Sequence, residues 1–278
     1  MKENLKNLTV VFLLFIFIMI FKHNFLVKEA IVNASLLWFN NILPFLLPVY
    51  IVVDLLINYG ITKIFKKTHI LLIILSMILG APSNAKYIKE FYENKQINIS
   101  TANWLMLFCY SPNPLFILGI SPDLNTGIKI LLYNFVINIL IALFSYKKFY
   151  VLSISSDEIK SKSFSKCLED SIFKSFKILF MILGIVCFYS VLNEFLNIVL
   201  NQNNLFLISL LELTNALNII TQSDMCSFGY MAFAVSFAGL SIHTQIKSIL
   251  EDTDISYKYF LLGRIISSLI PLFIIIFD

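Results

Sequence analysis

Charge is scarce in this chain. Only 14% of its 278 residues are charged, Arg264 is the sole arginine, and the net charge of +4 comes from scattered lysines. That distribution builds no basic patch, so nucleic acid is not an expected partner. Cysteine is nearly as sparse. Cys109, Cys167, Cys187 and Cys226 lie far apart with no C-x-x-C pair and no histidine spaced to share a metal, which excludes a disulfide framework and a structural zinc site. Also missing are H-E-x-x-H, G-x-S-x-G and P-loop signatures, so neither an enzyme nor a cofactor is expected.

What fills the chain instead is apolar: 58% hydrophobic residues, with 27 phenylalanines and a mean hydropathy of +0.83. A soluble domain does not need such a composition. The chain reads as an all-α integral membrane protein with the lipid bilayer as its first partner. Runs near the ~20 residues that cross a bilayer predict full spans over about 5–21, 33–57, 127–146, 176–200 and 259–277. The first could pass for a signal peptide, but Lys22 and His23 follow it with no small-residue cleavage site, so it is read as a retained helix.

Four other apolar stretches are broken. Ile70–Leu79 runs into Gly80-Ala81-Pro82-Ser83-Asn84. Trp104–Ile120 holds Ser111-Pro112-Asn113-Pro114. Leu205–Ile220 contains Glu212-Leu213-Thr214-Asn215, and Met225–Ile249 contains Ala238-Gly239-Leu240-Ser241. Broken backbone at membrane depth is tolerated only where it is buried in protein or lines a wet cavity. The expected fold therefore has about seven transmembrane helices plus two re-entrant helical hairpins, at 70–95 and 205–222. Lysine placement supports this count. With the N-terminus cytoplasmic, all lysines except Lys22, Lys28 and Lys129 fall on cytoplasmic flanks, and Arg264 is counted with them. The two hairpins then enter from opposite sides, which gives inverted-topology repeats with a solute site where the broken helices meet. The expected organisation is an N-terminal anchor helix (1–29), a first repeat (30–146), a cytoplasmic linker (147–175) and a second repeat (176–278). The linker reads as a solvated segment or as one that adheres to anionic lipid.

Candidate site residues follow from the breaks. Half-helix N-termini suit anionic groups, and Ser83, Asn84, Ser111, Asn113, Thr214, Asn215 and Ser241 can add side-chain donors and acceptors, or can simply satisfy the freed backbone. Lys86 can meet an anionic cargo or snorkel to the interface. Glu212, a carboxylate among leucines, is read as a coupling residue or as an acid drawn to the interface. His243, just past the last break, is read as a second coupling residue or as part of a buried polar pair with Gln245. Pro44 and Pro48 are expected to kink the second span, and Asp54 and Glu194 to sit at span ends.

These segments, taken in order, resemble the YlbJ-type sporulation integral membrane proteins, which carry the gate or nucleoside-recognition domain. The matching stretches are Gly80–Lys86, Phe108–Gly119, Leu211–Ala216 and Phe237–Gln245, within a likeness from about Leu43 to Leu269. The chain departs from that pattern at Ala81, Asn84, Ala216 and Ala238. The resemblance implies a role in endospore formation, in the mother-cell or outer forespore membrane, with the dianion dipicolinate as cargo. Three functions are carried forward: a transporter for a small organic anion, a transporter for a nucleoside or other polar solute, and a non-transporting membrane protein required for spore assembly. A homo-oligomer is compatible with each.

Overall fold

The computed structural model describes residues 2–65, 67–152, 163–201, 204–222 and 228–277. Over these residues it is helical, with no β-strand. α1 (Lys2–Lys22) precedes α2 (Asn24–Leu37), which continues through a π-helical turn (Trp38–Ile42) into α3 (Leu43–Asn58). Pro44 and Pro48 each remove a backbone donor, and the hydrogen-bond ladder widens just ahead of them, where the Leu43 N–H reaches back to the Trp38 carbonyl. After the short α4 (Ile61–Ile64) come α5 (Thr68–Leu79), α6 (Ser83–Glu93), α7 (Ile99–Phe108), α8 (Pro114–Ile120) and α9 (Leu124–Ser145). The second half comprises α10 (Phe164–Leu200), α11 (Leu205–Leu211), α12 (Leu213–Gln222), α13 (Phe228–Phe237), α14 (Gly239–Leu250) and α15 (Tyr257–Phe277).

Four continuous helical stretches, Asn24–Asn58, Leu124–Lys148, Phe164–Leu200 and Tyr257–Phe277, are long and apolar enough to cross a bilayer. The outer surface agrees with this. Phe144, Phe173 and Phe277 are 81%, 70% and 82% exposed, and many other large apolar side chains join them, whereas Arg264, Asn134, Ser83 and Ser236 are fully buried. A surface this apolar needs lipid, not water, against it. The chain is a multi-pass membrane protein.

Two stretches of the chain share an element order. Each has a long helix (α2–α3, then α10), a short helix pair (α5–α6, then α11–α12), an interrupted helix (α7–α8, then α13–α14) and a closing helix (α9, then α15). The halves interlock: α15 packs on α13 of its own half and on α7, and α9 packs on α7 and α8 of its own half and on α13. α10 lies along α2 and α3, tied there by a 3.0 Å hydrogen bond from Trp38 Nε1 to the Leu179 carbonyl. α1 meets α2 and the far end of α10 through Ile16, Met19, Val27 and Phe195.

The α7–α15 seam depends on one glycine. A Cβ at Gly263 would stand 1.8 Å from the Leu107 carbonyl oxygen, so no side chain fits without separating the helices. Gly263→Ala is expected to destabilise the protein by about 1–3 kcal/mol, the range for overpacking, read as a lower thermal unfolding temperature in detergent.

Two boundaries differ from those expected. The second span begins at Asn24 rather than 33, because Lys28 and Glu29 are carried on a helix that continues into the apolar run. α10 begins at Phe164, inside the segment read as the linker. Ser163 caps its N-terminus by accepting from the Lys166 N–H, and Lys166 pairs with Glu169 and Asp170 at helical spacing. Residues 153–162 of that segment, Cys226, and positions 202 and 278 lie outside the described residues. Among those described, Cys109, Cys167 and Cys187 are free thiols.

Candidate functional site

The four breaks meet. Gly80, in the left-handed region at φ +74°, lies so close to the second break that a Cβ there would be 2.7 Å from the Asn113 nitrogen. In the second half Gly239, at φ +58°, lies against the third break, its added Cβ 3.0 Å from the Leu213 nitrogen and 3.2 Å from the Leu211 carbonyl oxygen. Only glycine combines that backbone conformation with that approach. Both pairs border one cavity of about 60 Å³. The first two breaks supply Ala81, Pro82, Pro112 and Asn113, and the last two supply Glu212, Thr214 and Gln245. Ile42, Leu46, Ile182 and Val186 of the long helices form its apolar wall. The cavity lies where α6, α8 and α12 begin, so three helix N-termini border it, and α14 reaches it through Ile242 and Gln245.

Each break frees backbone groups, and specific side chains take them up. Asn84 Nδ2 donates to the Cys109 carbonyl at the end of α7, while Asn113 Nδ2 donates across the same gap to Ile78 O at 3.0 Å. The two asparagines thus clamp the first two breaks to each other. Their oxygens are also used: Asn84 Oδ1 accepts from the Ala85 N–H at 2.9 Å, and Asn113 Oδ1 caps α8 by accepting from Phe116 N at 3.1 Å. Asn84→Leu therefore leaves a buried carbonyl unpaired. It is expected to cost about 1–3 kcal/mol, measurable as a drop in thermal stability with membrane insertion retained.

In the second half other residue types do this work. Glu212 is 1% exposed and caps α12, Oε1 accepting from Thr214 N at 3.0 Å and Oε2 from Asn215 N at 2.5 Å. This is a buried N-cap, not an interfacial acid. His243 Nε2 lies 2.9 Å from the Phe237 carbonyl, freed by the break at Ala238, and Nδ1 lies 2.7 Å from Tyr257 Oη. Nε2–H donating to the carbonyl and Tyr257 donating to Nδ1 satisfies both nitrogens of a neutral ring.

The remaining candidates fall in several places. Thr214 and Asn113 line the cavity. Asn84 and Asn215 do not; Asn215 contributes its backbone N–H to Glu212. Ser83 is buried beside Tyr50. Ser111 faces a separate cleft between α5, α7 and α9, with Ser76 and Asn138. Ser241 is fully buried beside the Glu212 carboxylate. Lys86 points away from the cavity and pairs with Asp54 at 3.3 Å. Asp54 also accepts from Tyr87 Oη at 2.5 Å and is only 3% exposed, so near the end of its span it is a buried anchor between α3 and α6.

Arg264 carries the largest correction. It is not a flanking charge but fully buried, with Nη2 donating to Asn138 Oδ1 at 2.9 Å and Nη1 to Ser236 O at 3.3 Å. Its guanidinium lies 4.2 Å from the centre of the Tyr110 ring. Asn138 Nδ2 in turn donates to the Tyr110 carbonyl. The cation thus lies where α7 and α13 end, and neutralises the negative ends of both half-helices. The signal for it was in the sequence: an arginine seven residues into an apolar helix, opposite an asparagine in an apolar span.

No family model matches the chain, and no solved structure matches it. It is 24% identical to the sporulation integral membrane protein YlbJ of Bacillus subtilis (strain 168), over 318 aligned positions that cover 92% of this chain and 78% of that protein. The similarity runs through the region of all four breaks, and it supports a YlbJ-type family for this chain.

Proposed function

We propose that this chain is a membrane transporter for a small organic anion, with dipicolinate, carried across a membrane around the developing spore, as the cargo the resemblance suggests. The observation that carries the reading is the convergence of four interrupted helices on one cavity bordered by helix N-termini. In this reading α5–α6 and α11–α12 are the two re-entrant hairpins, and with α1 the spans number seven. The shared element order of the two halves supports reading them as inverted repeats, with alternating access as the mechanism. At about 60 Å³ the cavity falls well below the ~300 Å³ at which ordinary ligand sites begin. In this reading so small a cavity corresponds to a closed state of the cycle, and opening would widen it between the first two breaks and the third.

A second reading rests on a specific observation. Among its described residues the cavity presents Asn113, Thr214, Gln245 and the Glu212 carboxylate, but no lysine or arginine. That lining suits the hydroxyls of a nucleoside or another neutral polar solute. Uptake of dipicolinate into vesicles containing the purified protein, with nucleosides as competitors, separates the two. Flux of dipicolinate that nucleosides leave unchanged supports the first reading. Nucleoside flux alone supports the second, and no flux of either supports a non-transporting role in spore assembly.

Inverted repeats fix the loops. In a cysteine-free background, Asn125→Cys at the exposed start of α9 and Asp252→Cys in the exposed α14–α15 loop are expected to react with an impermeant thiol reagent from opposite sides, Asp252→Cys from the cytoplasm. Labelling of both from one side removes the inverted-repeat assignment.

A further inference from the structure

Glu212 is a buried carboxylate in a membrane protein, bonded to two backbone N–H groups, with the Thr214 and Ser241 hydroxyls beside it and no cationic side chain among its described partners. Lys86 is turned toward Asp54, and Arg264 donates to Asn138 and Ser236. An uncompensated buried charge is costly.

Further oxygens stand around it. Gln245 Oε1 and Ser241 Oγ are both buried, the residues 2% and 0% exposed, and Gln245 Oε1 has no hydrogen-bond partner. Four residues apart on α14, they share one helix face. Gln245 lines the cavity with Glu212 and Thr214, and Ser241 lies within interaction range of the carboxylate. The Gly239 contact presses the start of α14 onto the backbone of Glu212 and Leu213, so these side chains are held together by the third and fourth breaks.

The geometry points to a binding site for a monovalent alkali cation at this junction, with Glu212 supplying the charge and Ser241, Gln245 and Thr214 supplying neutral oxygens. Oxygen donors without nitrogen or sulfur select a hard cation. One carboxylate neutralises one positive charge, so a divalent ion would leave the buried site charged. A cavity of about 60 Å³ accommodates an ion with a few waters, at about 10–15 Å³ of such volume per water. The assignment stands on its own as a binding site. Its bearing on transport rests on the anion reading, where a bound cation would cancel the repulsion between Glu212 and an arriving carboxylate.

The test uses the purified full-length protein in detergent, without any organic solute. Thermal stability and radioactive-sodium binding are measured in sodium chloride against choline chloride at equal ionic strength, with potassium as a second probe. The site predicts saturable binding and a melting temperature that rises with the alkali cation and then levels off. Gln245→Leu, which leaves the α12 cap intact, should weaken binding by about tenfold or more, and Glu212→Gln should abolish it. Asn125→Cys, far from the site, should bind as the parent does. No saturable binding of either alkali ion, or binding unchanged in both Gln245→Leu and Glu212→Gln, overturns the proposal. Binding without flux of any solute would remove the transporter reading alone. Flux indifferent to sodium and potassium would remove this site's role and leave that reading in place.

Discussion

Arg264→Leu is expected to destabilise the protein by about 3–5 kcal/mol, since it deletes two charge-assisted hydrogen bonds and leaves their buried acceptors unpaired. Those acceptors, Ser236 O and Asn138 Oδ1, mark the end of α13 and the contact from α9 to the end of α7. The loss therefore falls on both interrupted helices together. The stacked Tyr110 ring loses its cation as well, a further contribution of about 2 kcal/mol when desolvated. Arg264→Lys is expected to recover only part of this. An ammonium keeps the charge but lacks the planar fork that reaches two acceptors in different directions. Thermal unfolding of the three proteins in the same detergent checks the order parent, Lys, Leu. A Leu variant as stable as the parent would mean that the half-helix ends do not depend on the cation.

Glu212 is the position where substitution should change function most. Glu212→Leu removes the α12 cap, worth about 0.5–2 kcal/mol, and also removes the one charged side chain among the described residues of the cavity wall. It is expected to lose solute binding and flux. Glu212→Gln keeps an oxygen able to accept from one backbone N–H and keeps the shape. It should retain solute binding but lose the dependence of flux on an ion gradient, because the group whose charge responds to a cation is gone. Flux under imposed sodium, potassium and proton gradients distinguishes these outcomes. Unchanged gradient dependence in Glu212→Gln would reduce Glu212 to a structural cap.

How much of this could be read from the residues follows from what each break does. The breaks themselves were legible because proline, glycine and paired polar residues stand out in apolar runs, and the spans read as 127–146 and 259–277 end within a few residues of α9 and α15. The glycine contacts of Gly80 and Gly239 were not legible, since nothing local says which break lies against which. Asn84 and Asn113 were identified as polar groups at depth. Their commitment to the carbonyls of Cys109 and Ile78 depends on tertiary packing that no sequence window contains. The burial of Arg264 and Asp54 was not legible, for one shared reason. A charge near the end of an apolar run is assigned to the interface by default, and only its partners, Asn138 and Ser236 for one, Lys86 and Tyr87 for the other, show that it is inside. Gln245 entered only as a neighbour of His243, yet it lines the cavity, while His243 is spent on the Phe237 carbonyl.

The central claim is that the cavity between the four breaks is where solute binds as the closed state opens. Thr214→Cys, in a cysteine-free background, places a thiol on that wall at a residue whose backbone N–H still bonds Glu212. Labelling of this thiol by a small water-soluble reagent is measured in vesicles with and without a transported solute. The account predicts slow labelling that the solute suppresses in a saturable way, while labelling of Asn125→Cys is indifferent to it. Labelling of Thr214→Cys that no transported solute alters would contradict the assignment of this cavity as the solute site.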